Sequence, residues 1–277
     1  MNPEESLALN RAHWDEVAEL HRDSYDTAGL VADPDRLSTV VQQDVPLLAS
    51  FLPGGTVAGL DMVHLQCHIG SDTLSWARLG ARMTGLDMSG ESLRVARELA
   101  DEAGLDIEYV QSSIADAATV LAGRSFDVVY TSIGVLSWLN DLTVWANLIA
   151  GLLRPGGIFL IREGHPMALS LDQTAPPGEL RLGWPYFNIG PLTEDCADDY
   201  SSTVPVVNSR THEWAHSLGE ILGCLLEAGL TIVDYQEHKT LPWKQLPWLE
   251  PQPQGEYALP ESLRQMCPLE FTLVARR

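Results

Sequence analysis

The sequence predicts an α/β chain built on a parallel sheet, and three observations carry that expectation. An apolar run over residues 63–67 is closed by a lone glycine, Gly70, and leads into a helical pattern with Leu74, Trp76, Ala77 and Leu79 as apolar positions. A second short strand, residues 83–87, ends on the carboxylate of Asp87. Apolar strands and helical segments then alternate as far as Arg162. Short strands joined by helices imply a parallel sheet covered on both faces, with ligands bound beyond the carboxyl ends of the strands near the switch point.

Residues 6–25 set Leu7, Leu9, Trp14, Val17, Ala18 and Leu20 at helical spacing, with His13, His21 and Tyr25 among them. This segment is either an amphipathic helix packed on the domain or a lid whose aromatic residues cover a ligand. Residues 33–36 break the chain, and 37–52 read as a second helix leading to the turn at Pro53. After Asp87, Ser89 starts a helix that Gly104 ends. A third strand over 107–110, a short helix over 116–122, a fourth strand over 126–130, a helix over 142–153 and a fifth strand over 158–162 follow. There the alternation stops. Residues 165–210 are rich in Pro, Gly and Asp and carry Trp184, Tyr186, Phe187 and Tyr200. Loops of that length inside a domain are usually functional. A helix over 214–228 and a strand over 230–235 come next. An irregular stretch over 237–268 with Trp243 and Trp248 precedes a closing strand over 270–275. With no repeat and no long linker, residues 1–277 read as one domain, with 1–52 a helical lid and 165–210 and 237–268 substrate-side inserts.

Seventeen Lys and Arg against 38 Asp and Glu give a net charge of −21. Such a surface repels phosphate backbones and anionic lipid, which argues against nucleic acid as a substrate. A solubility-tuned surface explains the charge equally well. Cys67, Cys196, Cys224 and Cys267 have no CxxC spacing and read as reduced thiols, neither a disulfide frame nor a metal site. The acidic start lacks an apolar core, and no apolar run reaches membrane-spanning length, so a soluble cytoplasmic protein is expected.

Strand, turn, helix, strand and acid together are the layout of a nucleoside-binding unit. The turn brings backbone N–H groups and a helix N-terminus to the ligand, and Asp87 can accept hydrogen bonds from ribose hydroxyls. A pyrophosphate needs glycines for close backbone approach, but Gln66, His68 and Gly70 stand at those positions. Side chains there suit a ligand without phosphates, which points to the nucleoside of S-adenosyl-L-methionine rather than to a dinucleotide. The rim comprises residues 66–70, Asp87 and Met88, residues 111–114, residues 131–133 and residues 163–165. Asp87 can alternatively cap the helix from Ser89. Gln66 and His68 either contact the cofactor or brace the turn. Met88 can flank adenine or simply pack.

The stretch Leu65-Gln-Cys-His-Ile-Gly70 resembles the first motif of the class I S-adenosylmethionine-dependent methyltransferases, and Gly85-Leu-Asp-Met-Ser89 resembles their second. Ser113, residues 126–132 and Leu153-Arg-Pro-Gly-Gly157 are similar to the later motifs. Residues 65–78, 131–139, 163–166 and 213–221 look like a bacterial small-molecule subgroup. The resemblance implies a Rossmann-like, doubly wound seven-stranded sheet with an antiparallel C-terminal hairpin. The departures lie in the first motif: His64 stands where the family has an acid, and Gln66 and His68 stand for two of its three glycines.

From this resemblance, the cofactor-binding candidates are Gln66, His68, Gly70, Asp87, Met88, Ser113, Ile114, Thr131, Ser132, Trp14 and Tyr25, with Ser113 and Ile114 beside adenine. Methyl transfer from a sulfonium is an in-line displacement, so placement does most of the work. Trp14, Tyr25 and Trp138 are candidates to hold the sulfonium against aromatic faces. A base is sought among His165, His216 and His212, with His165 leading because it follows the fifth strand. The aromatic residues of the two inserts either enclose a small, largely apolar acceptor or merely cover the sheet. The expected activity is methyl transfer to an oxygen or nitrogen of a small molecule. Two alternatives stay open: cyclisation or cleavage of S-adenosylmethionine without an acceptor, and a non-catalytic binding module.

Overall fold

A computed structural model describes residues 2–195 and 204–277; Cys196 and Tyr200 lie outside the described residues. The chain begins with α1 (Pro3–Ser24), whose start is set by the Asn2 cap, Pro3 in the first turn and the acidic pair Glu4 and Glu5. A short helix that the sequence pattern did not indicate, α2 (Thr27–Ala32), follows, and then α3 (Thr39–Ala49), capped by Ser38.

The alternating region comprises β1 (Asp61–Leu65), α4 (Ser71–Arg78), β2 (Arg82–Asp87), α5 (Gly90–Glu102), β3 (Glu108–Gln111), α6 (Ile114–Val120), β4 (Phe126–Thr131), α7 (Leu142–Leu152) and β5 (Leu153–Gly164). The first insert contains α8 (Pro166–Leu169), β6 (Leu192–Asp195) and β7 (Arg210–Glu213), and α9 (Leu218–Glu227) and β8 (Thr231–His238) follow it. The second insert is less irregular than its composition suggests. It builds a small sheet from β9 (Thr240–Leu241), β10 (Glu250–Pro251) and β11 (Tyr257–Ala258) before the closing β12 (Glu270–Arg276).

The main sheet has the order β3-β2-β1-β4-β5-β12-β8. β1 to β5 pair in parallel, and β12 runs antiparallel between β5 and β8. This is the doubly wound seven-stranded sheet with an antiparallel C-terminal hairpin that the resemblance implies. Its switch point lies between β1 and β4, which opens a crevice at their carboxyl ends. Alternation along the strands divides the core. Val63, Leu65, Val129, Phe159 and Ile161 pack with Trp145 and Leu225 on one face, and Met62, Val128, Tyr130 and Leu160 pack with Val41, Leu48 and Trp76 on the other.

Two expectations need correction. The helix expected from Trp214 starts at Leu218, because Ser217 caps it by accepting the Glu220 N–H at 3.2 Å, while Trp214 stays extended and donates its N–H to Ser137 O at 2.8 Å. The buried stripe of α1 is also more polar than its leucines suggest. Ser6, Asn10, Val17, Ala18 and His21 are buried, whereas Leu7, Leu9 and Leu20 are only partly so. That stripe meets the backbone of β7, which needs hydrogen-bond partners more than apolar area.

Candidate active site

The site grows from the loop that leaves β1. Both oxygens of the buried Asp87 carboxylate accept backbone N–H groups, Oδ2 from His68 and Oδ1 from Ser89, each at 2.8 Å. The first bond ties the β1 loop to the end of β2, and the second supports the start of α5. Burial pushes the Asp87 carboxyl up to about 6 against the pull of these N–H groups. Ser89 itself caps α5, accepting the Ser92 N–H at 2.9 Å.

Gln66 (φ 57°) and His68 (φ 50°) lie in the left-handed region, as does Gly70 (φ 77°). For the two non-glycine residues that conformation costs roughly 1–2 kcal/mol each, and their side chains are anchored in ways that offset it. Gln66 Nε2 donates to Val135 O at 3.0 Å. His68 Nε2 lies 2.7 Å from His21 Nδ1, and its Nδ1 lies 3.1 Å from Ser92 Oγ. At Gly70 a Cβ would fall 2.6 Å from Tyr109 Oη and 2.8 Å from Ala96 Cβ, so no side chain fits there.

Helix α1 covers this loop. The Trp14 ring meets the His68 ring edge-on at 5.0 Å and the Trp138 ring at 5.1 Å. Tyr25, 38% exposed, lies 5.0 Å from the His21 ring and 6.2 Å from that of His68. The helix is fastened at both ends. Asp15 accepts from Ser89 Oγ at 2.7 Å, and Arg22 pairs with Glu98 at 2.6 Å on α5. On the insert side, Asn10 holds both backbone groups of His212, at 2.9 Å and 2.8 Å, and Glu16 accepts the N–H groups of Val207 and Asn208 at 2.6 and 2.7 Å. Two surface clefts, one beside Arg22 and Glu102 and one between Leu52 and Trp76, include no rim residue.

The loop after β4 is organised by one carboxylate. The buried Glu163 accepts four backbone N–H groups: Gly134 and Gly164 at 2.7 Å, Val135 at 2.8 Å and Leu136 at 3.1 Å. Burial outweighs these donors and holds its carboxyl above the ordinary value. The carbonyls of the same loop serve Gln66, Trp138 and Trp214, and Leu139 O receives His216 Nε2 at 2.7 Å.

Several expected residues have their side chains committed elsewhere. Ser113 caps α6 and bonds Asp116 at 2.8 Å, and Ile114 packs in the core. Ser132 Oγ lies 2.8 Å from His64 Nε2, whereas Thr131 is fully buried and its Oγ1 has no hydrogen-bond partner among the described residues. Met88 is half-buried and its carbonyl accepts from Gln111 at 3.2 Å. His165, expected as the leading base, has both ring nitrogens engaged. Nδ1 accepts the Met167 N–H at 3.0 Å, and Nε2 faces Glu237 at 3.1 Å on β8. Burial lowers its pKa, and Glu237 partly restores it. His216 differs: its Nε2 is bonded to Leu139 O, but Nδ1 has no hydrogen-bond donor among the described residues and lies 3.2 Å from the Glu220 carboxylate. His212 is bound by Ser6 at 2.8 Å. Asp15 and Asn10 went unrecognised in the sequence because nothing local distinguishes them, and Glu163 was placed on the rim without its role as an acceptor of backbone N–H groups.

A profile of the "Methyltransferase domain" family matches residues 63–161, the span from β1 into β5. A solved S-adenosylmethionine-dependent methyltransferase from Mesorhizobium loti superposes with a TM-score of 0.58 at 25% identity, covering 84% of this chain and 97% of that one. Residues 63–161 match the methyltransferase-domain family, and the fold is that of class I S-adenosylmethionine-dependent methyltransferases. Ubiquinone biosynthesis O-methyltransferases are also similar. That of Methylobacterium sp. (strain 4-46) is 34% identical over 128 residues, 46% of this chain and 50% of the relative. That of Escherichia coli O7:K1 is 32% identical over 162 residues, 57% of this chain and 64% of the relative. The chain thus spans 50% and 64% of the length of these two curated relatives. No helix among its described residues is long and apolar enough to cross a membrane.

Proposed function

We propose that the chain transfers the methyl group of S-adenosyl-L-methionine to an oxygen or nitrogen of a small molecule. The observation that carries this reading is Asp87 bound to the loop after β1. Its oxygens accept the backbone N–H groups of His68 and Ser89, with that of Met88 beside them, and a carboxylate with about four acceptor sites keeps capacity for a ribose hydroxyl. Gly70, Met88 and the backbone at Ser113 and Ile114 complete the nucleoside half, and Gln66, His68, Thr131 and Ser132 line the other. Trp14 and Tyr25 cover it from α1.

Bound there, S-adenosylmethionine supplies a methyl group activated by its sulfonium. The chain contributes placement and exclusion of water, for which proximity effects reach about 7–11 kcal/mol. The rings of Trp14, Trp138 and Tyr25 favour a cationic centre beside them. Of the two candidate bases, His216 is the better suited. Nδ1 can take a proton without giving up a hydrogen bond, and Glu220 then stabilises the imidazolium. His165 must first release the Met167 N–H.

The names of the relatives favour an oxygen acceptor. The net charge of −21 speaks against nucleic acid and anionic membrane as partners. The buried, unpaired thiols of Cys67, Cys224 and Cys267 suit the cytoplasm. We treat residues 1–277 as one catalytic domain, with 1–52 as its lid and 165–210 and 237–268 on the acceptor side. Incubation with S-adenosylmethionine and candidate acceptors, followed by mass spectrometry of the nucleoside products, tests the reaction. S-adenosylhomocysteine is expected. Methylthioadenosine without S-adenosylhomocysteine would overturn methyl transfer in favour of cyclisation or aminocarboxypropyl chemistry, and no turnover with any acceptor would favour a binding module.

A further inference from the structure

The Gln66 side chain is oriented by its surroundings and only half satisfied. Its amide nitrogen donates to Val135 O at 3.0 Å, and a carbonyl can only accept, so the nitrogen is identified and the direction of Oε1 follows. Val135 does not drift, because its own N–H is held by Glu163 at 2.8 Å. Gln66 Oε1 is buried and has no hydrogen-bond partner among the described residues. A buried acceptor without a donor is costly, and this one belongs to a residue already held at φ 57°. An unfavourable backbone conformation that carries an unsatisfied acceptor into a ligand loop marks a functional position.

The neighbouring position makes the need for an acceptor specific. Where the family has an acid at the head of this motif, the chain has His64, sealed between Thr73 Oγ1 and Ser132 Oγ at 2.8 Å each. Its imidazole is buried, and burial drives its pKa down to about 3. No negative charge is therefore offered at that position to a cationic group in the loop.

Resting on the assignment of the site to S-adenosylmethionine, we infer that Gln66 Oε1 is the acceptor that recognises the α-ammonium group of the cofactor's methionine end. The side chain standing where the family has a glycine thereby takes over a contact that the missing acid does not support. The chain from Glu163 through Val135 to Gln66 also links that recognition to the loop after β4, whose other carbonyls hold Trp138 and His216.

The test compares two ligands by calorimetry: S-adenosylhomocysteine, and its analogue with the α-amino group replaced by hydrogen. The variant is Gln66→Gly, which relieves the left-handed backbone rather than straining it and so preserves the loop. The expected result is a loss of about ten- to a hundredfold in affinity for S-adenosylhomocysteine, the range of a hydrogen bond to a charged group. The deaminated analogue should bind wild type and variant equally, which also shows that the nucleoside half remains folded. Equal losses for both ligands would mean that Gln66 only shapes the loop and would overturn the inference, as would no loss for either. Wild-type protein that binds neither ligand would remove the cofactor assignment itself, a result distinct from selective failure at Gln66.

Discussion

Asp87 gives the most discriminating test of the cofactor site, because its ionisation and its hydrogen bonds make linked predictions. Burial raises its carboxyl from 3.8 to about 6. Below that pH the protonated group offers fewer acceptor sites to a ribose diol. Nucleoside affinity should therefore rise as pH increases through about 6 and level off above 7. Losing hydrogen bonds to an ionised acceptor costs roughly 1.5–3 kcal/mol, or about ten- to a hundredfold in affinity. Folding responds in the opposite sense. The native state binds the proton more tightly than the unfolded chain, so this group's contribution to stability is present at low pH and is lost as pH rises from about 4 to about 6. A shift of about two units corresponds to about 3 kcal/mol. Asp87→Asn should abolish both slopes. Calorimetric titration with S-adenosylhomocysteine between pH 5 and pH 8, beside urea unfolding over the same range, measures them. A folded Asp87→Asn variant that retains wild-type affinity at pH 7.5 would refute the ribose assignment and leave Asp87 as a brace for the β1 loop.

Four further outcomes follow from the same geometry. His64, held neutral with a pKa of about 3, charges only on unfolding, so stability should fall as pH drops below 6.5; His64→Gln should remove roughly 2–3 kcal/mol of the loss between pH 6.5 and 4.5, read by urea unfolding. Arg162 is buried between Asp44, at 2.7 Å, and Glu270, so Arg162→Met should cost about 3–5 kcal/mol by leaving the buried Glu270 without its cation and Asp44 with only the Tyr130 hydroxyl, an effect that a melt unchanged from wild type would contradict. Asn10→Ala removes both bonds to the His212 backbone and should speed amide exchange at β7 and in α1 together; faster exchange in α1 alone would show that the two do not act as one cap. With an acceptor in hand, His216→Ala should lower kcat by about a hundred- to ten-thousandfold, while His165→Ala keeps most turnover; the reverse ranking would return the base role to His165.

The sheet was legible because its causes are local. Apolar runs of strand length, separated by amphipathic helices and punctuated by Gly70, Gly104 and Gly156, encode a parallel α/β core without reference to distant residues. Asp87 and the glycine-poor turn from Gln66 to Gly70 were legible for the same reason, as a short motif at the end of a strand. The start of α9 could have been read too, since Ser217 and Glu220 stand in capping-box spacing. What sequence could not decide is which polar atoms meet across the fold. Nothing around Asn10 announces His212, and nothing around His165 announces Glu237, which meets it from the edge strand. Glu163 looks like any residue closing a strand until the loop after β4 turns its N–H groups inward. Hydrophobic periodicity reports which face of an element is buried against apolar neighbours; it is silent where the neighbour is backbone that must be hydrogen-bonded. That is why α1 buries Ser6, Asn10 and His21, and why the hydrogen-bond partners of the histidines follow from the tertiary structure rather than from their places in the chain.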